Sequence, residues 1–278
     1  MGALQTDTAL SDRDGRLFMT LSRDWEIWGP NGGYVAAIAL RAAGMRAPAG
    51  HRPATISAQY LSVAKFEEIE AVVEPVKQGR SAWCINVALM QAGKRFLQAQ
   101  VWTTDRSDGP AAQELTMPDV PSYAGLKSWA ELQPRPRTET RRFFWDNFEG
   151  RPIAPRQGWV ADPRGAVVQE WYRYVDFDAG GDVFLDCARP LILIDTLQWP
   201  AHNRSLSAQP GYIAPSLDVS VWFHQPPGSA EWLLADVHAP MADKGLIHGA
   251  ARLWSADGRL LATGGSNMLV TPVPARAQ

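Results

Sequence analysis

The sequence predicts an α+β protein made of two copies of one unit, each an apolar helix followed by antiparallel strands. Chain length, composition and an internal repeat together predict this class. The chain has 278 residues, the length of about two typical domains. Its 46% hydrophobic and 20% charged residues are typical of a globular protein and exclude a disordered chain.

In the first half, residues 32–43 predict a buried helix, because apolar side chains would lie on nearly every side of it and Gly44 follows as a C-cap. Alternating polar and apolar residues predict the strands that come next. These strands cover 54–61, 70–76 and 81–90, and a fourth begins at Arg95. A short turn, Ala92-Gly93-Lys94, joins the last two strands, so the half ends in an antiparallel meander.

The second half repeats this order. Its predicted strands cover 215–223, 231–237 and 246–254, and a fourth begins at Arg259 after an Asp-Gly turn that is typical of a hairpin. The run 191–194 is apolar, and Asp195 after it predicts the N-cap of a helix. A spacing of 164 residues separates Asn31 from Asp195 and also Arg95 from Arg259, so we expect Asn31 and Asp195 to be equivalent.

Residues 105–164 are rich in proline and show no sustained period, which predicts a crossover linker. The predicted division is an N-terminal unit at 1–104, this linker, and a C-terminal unit at 165–278. A basic cluster within the linker comprises Arg135, Arg137, Arg141 and Arg142. We interpret the cluster as a solvated edge, with contact to the phosphates of a nucleotide-like ligand as the alternative.

Charge and cysteine content exclude several classes of function. A net charge of −2 provides no general basic surface, so we expect no nucleic-acid partner. Cys84 and Cys187 lack metal-ligand spacing and are too few for a disulfide scaffold, and we predict no metal and no cofactor. Residues 1–14 contain no apolar signal core and no run approaches about 18 apolar residues, so we expect a cytoplasmic protein without a membrane anchor.

Two stretches resemble the TesB-type acyl-CoA thioesterases. These are Asn31-Gly32-Gly33-Tyr34 at the start of the first helix, and residues 216–226, which end in Trp-Phe-His-Gln-Pro. The resemblance covers residues 15–104 and 165–270. It implies a double hot-dog fold, with two antiparallel sheets each wrapped around a central helix, and an acyl-CoA substrate.

The resemblance also implies a set of catalytic residues. Asp195 matches the family's catalytic aspartate, and Ser216 falls where the family usually has threonine. On the last strand, Ser266 stands where the family has glutamine, with Asn267 beside it. Because serine has no amide, we expect either that Asn267 replaces it through a shift or a bulge at Gly264-Gly265, or that the water is held differently.

The start of the first helix is the predicted oxyanion site. Gly32 and Gly33 allow a carbonyl group to approach the backbone, and the first turn of a helix has unpaired N–H groups. We therefore expect the amides of Gly33 and Tyr34 to polarise the thioester carbonyl, next to Asn31. Tight packing of the helix is an equally good reading of the two glycines.

We therefore expect a thioester hydrolase that converts acyl-CoA to free acid and CoA by Asp-assisted attack of water, without metal or covalent intermediate. Pairing of exposed sheet edges predicts a homodimer or a higher homo-oligomer. A non-catalytic hot-dog protein that binds acyl chains or an acyl carrier is the first alternative, favoured by the missing glutamine. The second is a hydratase or dehydratase, which requires Asp243 and His248 to face the cleft.

Overall fold

The computed structural model describes residues 2–134, 144–156 and 158–273, so the basic cluster of the predicted linker lies outside the described residues. The helices of this part of the chain are α1 (Leu4–Asp7), α2 (Gly32–Gly44), α3 (Trp129–Leu132), α4 (Val183–Thr196) and α5 (Gln198–Arg204). The strands of the first half are β1 (Ser11–Arg13), β2 (Arg16–Thr20), β3 (Arg52–Tyr60), β4 (Glu68–Gln78), β5 (Ala82–Gln91) and β6 (Lys94–Thr104). The remaining strands are β7 (Phe148–Pro152), β8 (Val167–Tyr174), β9 (Tyr212–Ile213), β10 (Asp218–Phe223), β11 (Trp232–Asp243), β12 (Leu246–Ser255), β13 (Leu260–Leu269) and β14 (Thr271–Pro272).

Twelve of these strands form one antiparallel sheet, in the order β1-β2-β4-β5-β6-β3-β10-β13-β12-β11-β8-β7. The order is symmetrical about its centre, in agreement with the predicted repeat. Two separate sheets, as the sequence led us to expect, are not observed. The two halves merge because β3 pairs with β10, with Ser57 opposite Ser220.

The strand pairing within each half differs from the predicted four-stranded meander. The first strand pairs with the last, β3 with β6 and β10 with β13, so only three strands form the meander. The predicted turn between β5 and β6 is confirmed. Ala92 and Gly93 have φ of 49° and 75°, as a two-residue hairpin turn that matches the strand twist requires.

The stretch predicted as a linker contains regular structure. Strand β7 lies inside it and pairs with β8 at the end of the sheet. Other side chains of this stretch cover an apolar cluster of the second half, so it does more than connect two units. The covered cluster comprises Trp171, Trp232, Leu234, Trp254 and Leu260, and the covering residues are Met117, Val120, Tyr123, Leu126 and Ile153.

Helices α2 and α4 are buried and run antiparallel to each other. Gly33, at the start of α2, lies against Ile192 near the end of α4, and Gly44, at the end of α2, lies against Phe184. A Cβ atom on Gly33 would be 2.7 Å from Cα of Ile192. The backbones therefore approach so closely that position 33 has no room for a side chain.

The prediction that a helix begins at Asp195 is wrong. Helix α4 begins twelve residues earlier, at Val183, and its N-cap is Asp182, whose carboxylate accepts from the N–H groups of Phe184 and Leu185. Asp195 lies in the last turn of α4. By helix position, the counterpart of the cap Asn31 is therefore Asp182 and not Asp195.

We expect the substitution Gly33→Ala to destabilise the protein. The added methyl group would meet the backbone of Ile192, which cannot move without separating α2 from α4. Overpacking of this kind costs about 1–3 kcal/mol, more than alanine gains over glycine in a helix. Urea unfolding measures the change. Gly211→Ala is the control, because a Cβ there meets nothing within 4 Å; equal stability of the two variants would contradict the close contact.

Candidate active site

The carboxylate of Asp195 lies at the N-terminus of the helix from the other half, α2. The Tyr60 hydroxyl donates to its Oδ1 over 3.2 Å. The side chain of Ser216 and the backbone N–H of Gly33 also face it and stabilise its ionised form. Asp195 is only 6% exposed. Three donors from three separate segments thus surround one buried carboxylate.

The electrostatic environment of Asp195 makes it a stronger base than an exposed aspartate. Burial raises the pKa of Asp195 to about 6, and the nearby charge of Asp218 acts in the same direction. The hydrogen bonds from Ser216, Tyr60 and Gly33 oppose this rise because they stabilise the ionised form. At neutral pH the carboxylate is therefore mainly ionised, yet it can accept a proton from water.

Gly32 is required by the packing of this carboxylate. A Cβ atom at position 32 would lie 2.6 Å from Oδ2 of Asp195 and 3.2 Å from the hydroxyl of Tyr60. Any side chain there would displace the carboxylate or the phenol ring. The tight-packing reading of the two glycines therefore agrees with the geometry.

Asn31 joins the start of α2 to the end of α4. Its Oδ1 accepts from the N–H of Tyr34 over 2.9 Å, and its Nδ2 donates to Oγ1 of Thr196 over 3.0 Å. Of the predicted oxyanion donors, the Tyr34 amide is thus hydrogen bonded to Asn31, and the Gly33 amide faces Asp195 and stabilises its ionised form. The Tyr34 side chain stacks on Trp25 and has a structural role in this arrangement.

A β-bulge turns Ser216 towards the helices. Ser216 pairs with Met268, and Ser220 pairs with Gly265. Between these pairs there are three residues on the Ser216 strand but two on β13, so one residue near Leu217 is extra. Residues opposite each other on paired strands face the same side, and Met268 is buried. Ser216 therefore faces the interior, next to Asp195.

The bulge suggested at Gly264-Gly265 is not present, since β13 keeps its register through both residues. Ser266 is buried, and Asn267 points to the opposite face because neighbours on a strand alternate. The Nδ2 of Asn267 donates to Oδ2 of Asp218 over 3.2 Å. The structure therefore brings Asn267 to Asp218 and not to Asp195, and the predicted replacement of the family glutamine by Asn267 is wrong.

Other candidates lie away from Asp195. Asp243 and His248 are exposed and lie on the hairpin formed by β11 and β12. The hydratase alternative requires both residues to face the cleft, so this position argues against it. Tyr60 is the contact that sequence reasoning missed, since it lies within a predicted strand, at the end of the observed β3, and belongs to no motif. In the described residues, no group of three or more His, Cys, Asp or Glu side chains could hold a metal ion.

A large antiparallel sheet packed on a few buried helices defines a hot-dog protein. A hot-dog protein of unknown function from Alicyclobacillus acidocaldarius shares the fold, with a TM-score of 0.81 and 23% identity over 98% of both chains. The tesB protein of Mycobacterium avium subs paratuberculosis matches with a TM-score of 0.75 and 23% identity, over 97% of this chain and 98% of that one.

The family follows from the sequence. The family models of the acyl-CoA thioesterase N-terminal and C-terminal domains match residues 21–104 and 119–267. Human acyl-coenzyme A thioesterase 8 is 46% identical over 214 residues, and the mouse protein of that name is 25% identical over 210. Each match covers 69% of this chain, which spans 64% of the length of these relatives. The chain belongs to the acyl-CoA thioesterase family, a family of thioester hydrolases, and the TesB-type resemblance is confirmed.

The raised pKa of Asp195 predicts how stability changes with pH. Because the folded pKa of about 6 exceeds the ordinary aspartate value of 3.8, the folded state binds this proton more tightly, and that stabilisation is lost as pH rises through 6. Asp195→Asn cannot ionise. We expect its unfolding free energy, relative to the wild type, to increase by about 2.5 kcal/mol between pH 4 and pH 8.

Urea unfolding at several pH values measures this difference. Asp119→Asn replaces an exposed carboxylate by the same amide and controls for the change in net charge. A difference between Asp195→Asn and the wild type that does not depend on pH would contradict the raised pKa.

Proposed function

We propose that this chain hydrolyses an acyl-CoA thioester to a free acid and CoA, with Asp195 as the general base for water. One observation carries the proposal: a buried carboxylate with a pKa of about 6 is held at the N-terminus of α2. Membership of the acyl-CoA thioesterase family supports the substrate class. Neither metal nor covalent intermediate enters the proposed reaction.

In the proposed reaction, Asp195 accepts a proton from water while the water oxygen forms a bond to the thioester carbon. The carbonyl oxygen becomes an alkoxide. When the alkoxide collapses, the C–S bond breaks and the proton held by Asp195 passes to the departing thiolate. The products are a carboxylic acid and the CoA thiol, and Asp195 returns to its ionised form.

The N-terminus of α2 can stabilise the alkoxide, because its positive end and its first N–H groups favour an anion. Gly32 presents no side chain there, which lets the carbonyl group approach. The Gly33 amide faces Asp195 at rest and stabilises its negative charge. As Asp195 gains a proton, this donor loses its anionic acceptor and becomes available to the alkoxide. The negative charge that Asp195 loses on protonation is thus replaced by the negative charge of the alkoxide at the same helix terminus.

Two loops next to the site offer an apolar surface for the acyl group. One loop precedes Asn31 and the other follows Tyr60, and a Cβ on Gly29 would be 2.8 Å from Cγ1 of Val63, so the loops touch. The exposed apolar residues of these loops are Ile27, Trp28, Leu61 and Val63. We assign this surface to the acyl chain. The homodimer and the cytoplasmic location stay predictions.

We expect Asp195→Asn to lower kcat about 100- to 10,000-fold, the usual contribution of a general base. Release of thiol from a panel of acyl-CoAs measures this. For the wild type, kcat/KM should rise with pH and level off above about 6, where Asp195 is ionised. A wild type that binds acyl-CoA but releases no thiol would favour the non-catalytic alternative, and an active Asp195→Asn would refute the role of Asp195.

Tyr60→Phe should move the acidic limb of kcat/KM to higher pH. The phenol donates to the ionised carboxylate, so its loss raises the pKa of Asp195 further. Tyr212→Phe is the matched control, because its hydroxyl contacts His202 instead. A limb at the same pH in both variants would show that Tyr60 does not act on Asp195.

A further inference from the structure

The side of the sheet that points away from the helices has a broad face at its centre. Ile56 and Val221 point to the core and are buried, so their neighbours Ser57 and Ser220 point the other way. Strand pairing extends this outer face in three rows across β5, β6, β3, β10, β13 and β12. The outer face consists of the first, third and fifth residues of six stretches, which are 55–59, 84–88, 98–102, 218–222, 248–252 and 263–267.

The outer face carries little charge for a protein surface. Of its eighteen residues only Asp218 and Arg252 are Asp, Glu, Lys or Arg, whereas the whole chain, core included, is 20% charged. Most of the others are Gln, Asn, Ser and Thr, whose side chains can both donate and accept hydrogen bonds. On the adjoining strand β4, Glu70 and Glu74 face the same way, with Glu74 opposite Asn86, and form a charged border. A centre depleted in charge inside a polar border is typical of a protein–protein interface.

The outer face has a protruding tryptophan next to a row of small residues. Trp222 is 52% exposed, and tryptophan is enriched among the residues that contribute most to protein association. In the middle row, Ser220, Gly265 and Ala250 lie side by side on β10, β13 and β12. The surface beside Trp222 is therefore low enough to receive a large side chain. Because one face carries both features, it is complementary to an identical face.

The edges of the sheet are less suited to contact between chains than the outer face. The edge strand β1 has three residues and includes Asp12 and Arg13. The other edge strand, β7, has five residues and ends in Pro152. Short strands, charges and proline are features by which proteins prevent the pairing of edges. The outer face, and not an edge, is therefore the surface that we expect a partner to cover.

We propose that the outer face binds the outer face of a second copy of this chain. A two-fold axis that lies between the two faces, parallel to the rows, sets Trp222 of each copy on the middle row of the other. The neutral polar side chains of one copy then meet donors and acceptors of the same kind. Six strands about 4.8 Å apart and five residues of about 3.4 Å each cover about 500 Å². Two such faces bury about 1,000 Å², the area that a specific interface requires.

Sedimentation velocity of the full chain over a range of concentrations tests this assignment. We expect the wild type to have twice the chain mass of 30.6 kDa. Ser220→Arg should be monomeric, because it places a large cation in the middle row of both copies, where a charge without a partner is unfavourable. Ser107→Arg is the matched control. Ser107 is exposed and lies outside the sheet, so this variant should keep the wild-type mass.

Trp222→Ala tests the same contact without adding charge. We expect the dissociation constant of the dimer to rise about 30-fold or more, the effect of truncating a residue that dominates an interface. Trp159→Ala is the control, because Trp159 is 40% exposed and lies outside the sheet. Trp222 is exposed in the single chain, so its truncation should leave the circular dichroism spectrum unchanged. This variant therefore decides the case if Ser220→Arg does not fold.

The possible results separate clearly. A wild type that sediments as a monomer at every concentration would overturn the assignment. A folded Ser220→Arg that stays dimeric would also overturn it, because the interface would then lie on another surface. A larger wild-type assembly that Ser220→Arg divides supports it. The measured quantity is molecular mass, so the result does not depend on whether the chain releases thiol from acyl-CoA.

Discussion

The antiparallel contact between α2 and α4 is the constraint on which the site depends. It brings the last turn of α4 to the first turn of α2, so that Asp195 meets the Gly33 amide. A slip of one helical turn, about 5.4 Å, would remove the carboxylate from that helix end. The two ends of the contact differ. At the other end, Asp182 caps its own helix and pairs with Arg41 over 3.3 Å, so the acidic group there is already neutralised.

The single sheet supplies the other half of the site. Because β3 pairs with β10, Tyr60 at the end of β3 and Ser216 just before β10 reach the same carboxylate. The bulge near Leu217 is what turns Ser216 inward. Gly33 and Tyr60 come from the first half of the chain, and Asp195 and Ser216 from the second. Duplication followed by fusion of the sheets would thus yield one site per chain, composed of both copies.

The sequence predicts the meander strands, their turns and α2 well, because alternation, Gly-containing turns and a cap at Asn31 are local signals. It does not locate the start of α4, since Pro190 argues against a continuous helix and Asp195 is as good a cap as Asp182. The contact of Tyr60 with Asp195 spans 135 residues, so no local pattern contains it. The bulge beside Ser216 likewise follows from strand register, which only the folded sheet defines.

The central claim is that burial at the end of α2 makes Asp195 a base of near-neutral strength. A carbon-13 NMR titration of the aspartate carboxyl groups measures this directly, with Asp195→Asn to assign the resonance. We expect a midpoint of about 6 for Asp195. A midpoint at or below the ordinary aspartate value of 3.8 would contradict this claim, because the carboxylate would then be too weak a base for the proposed role.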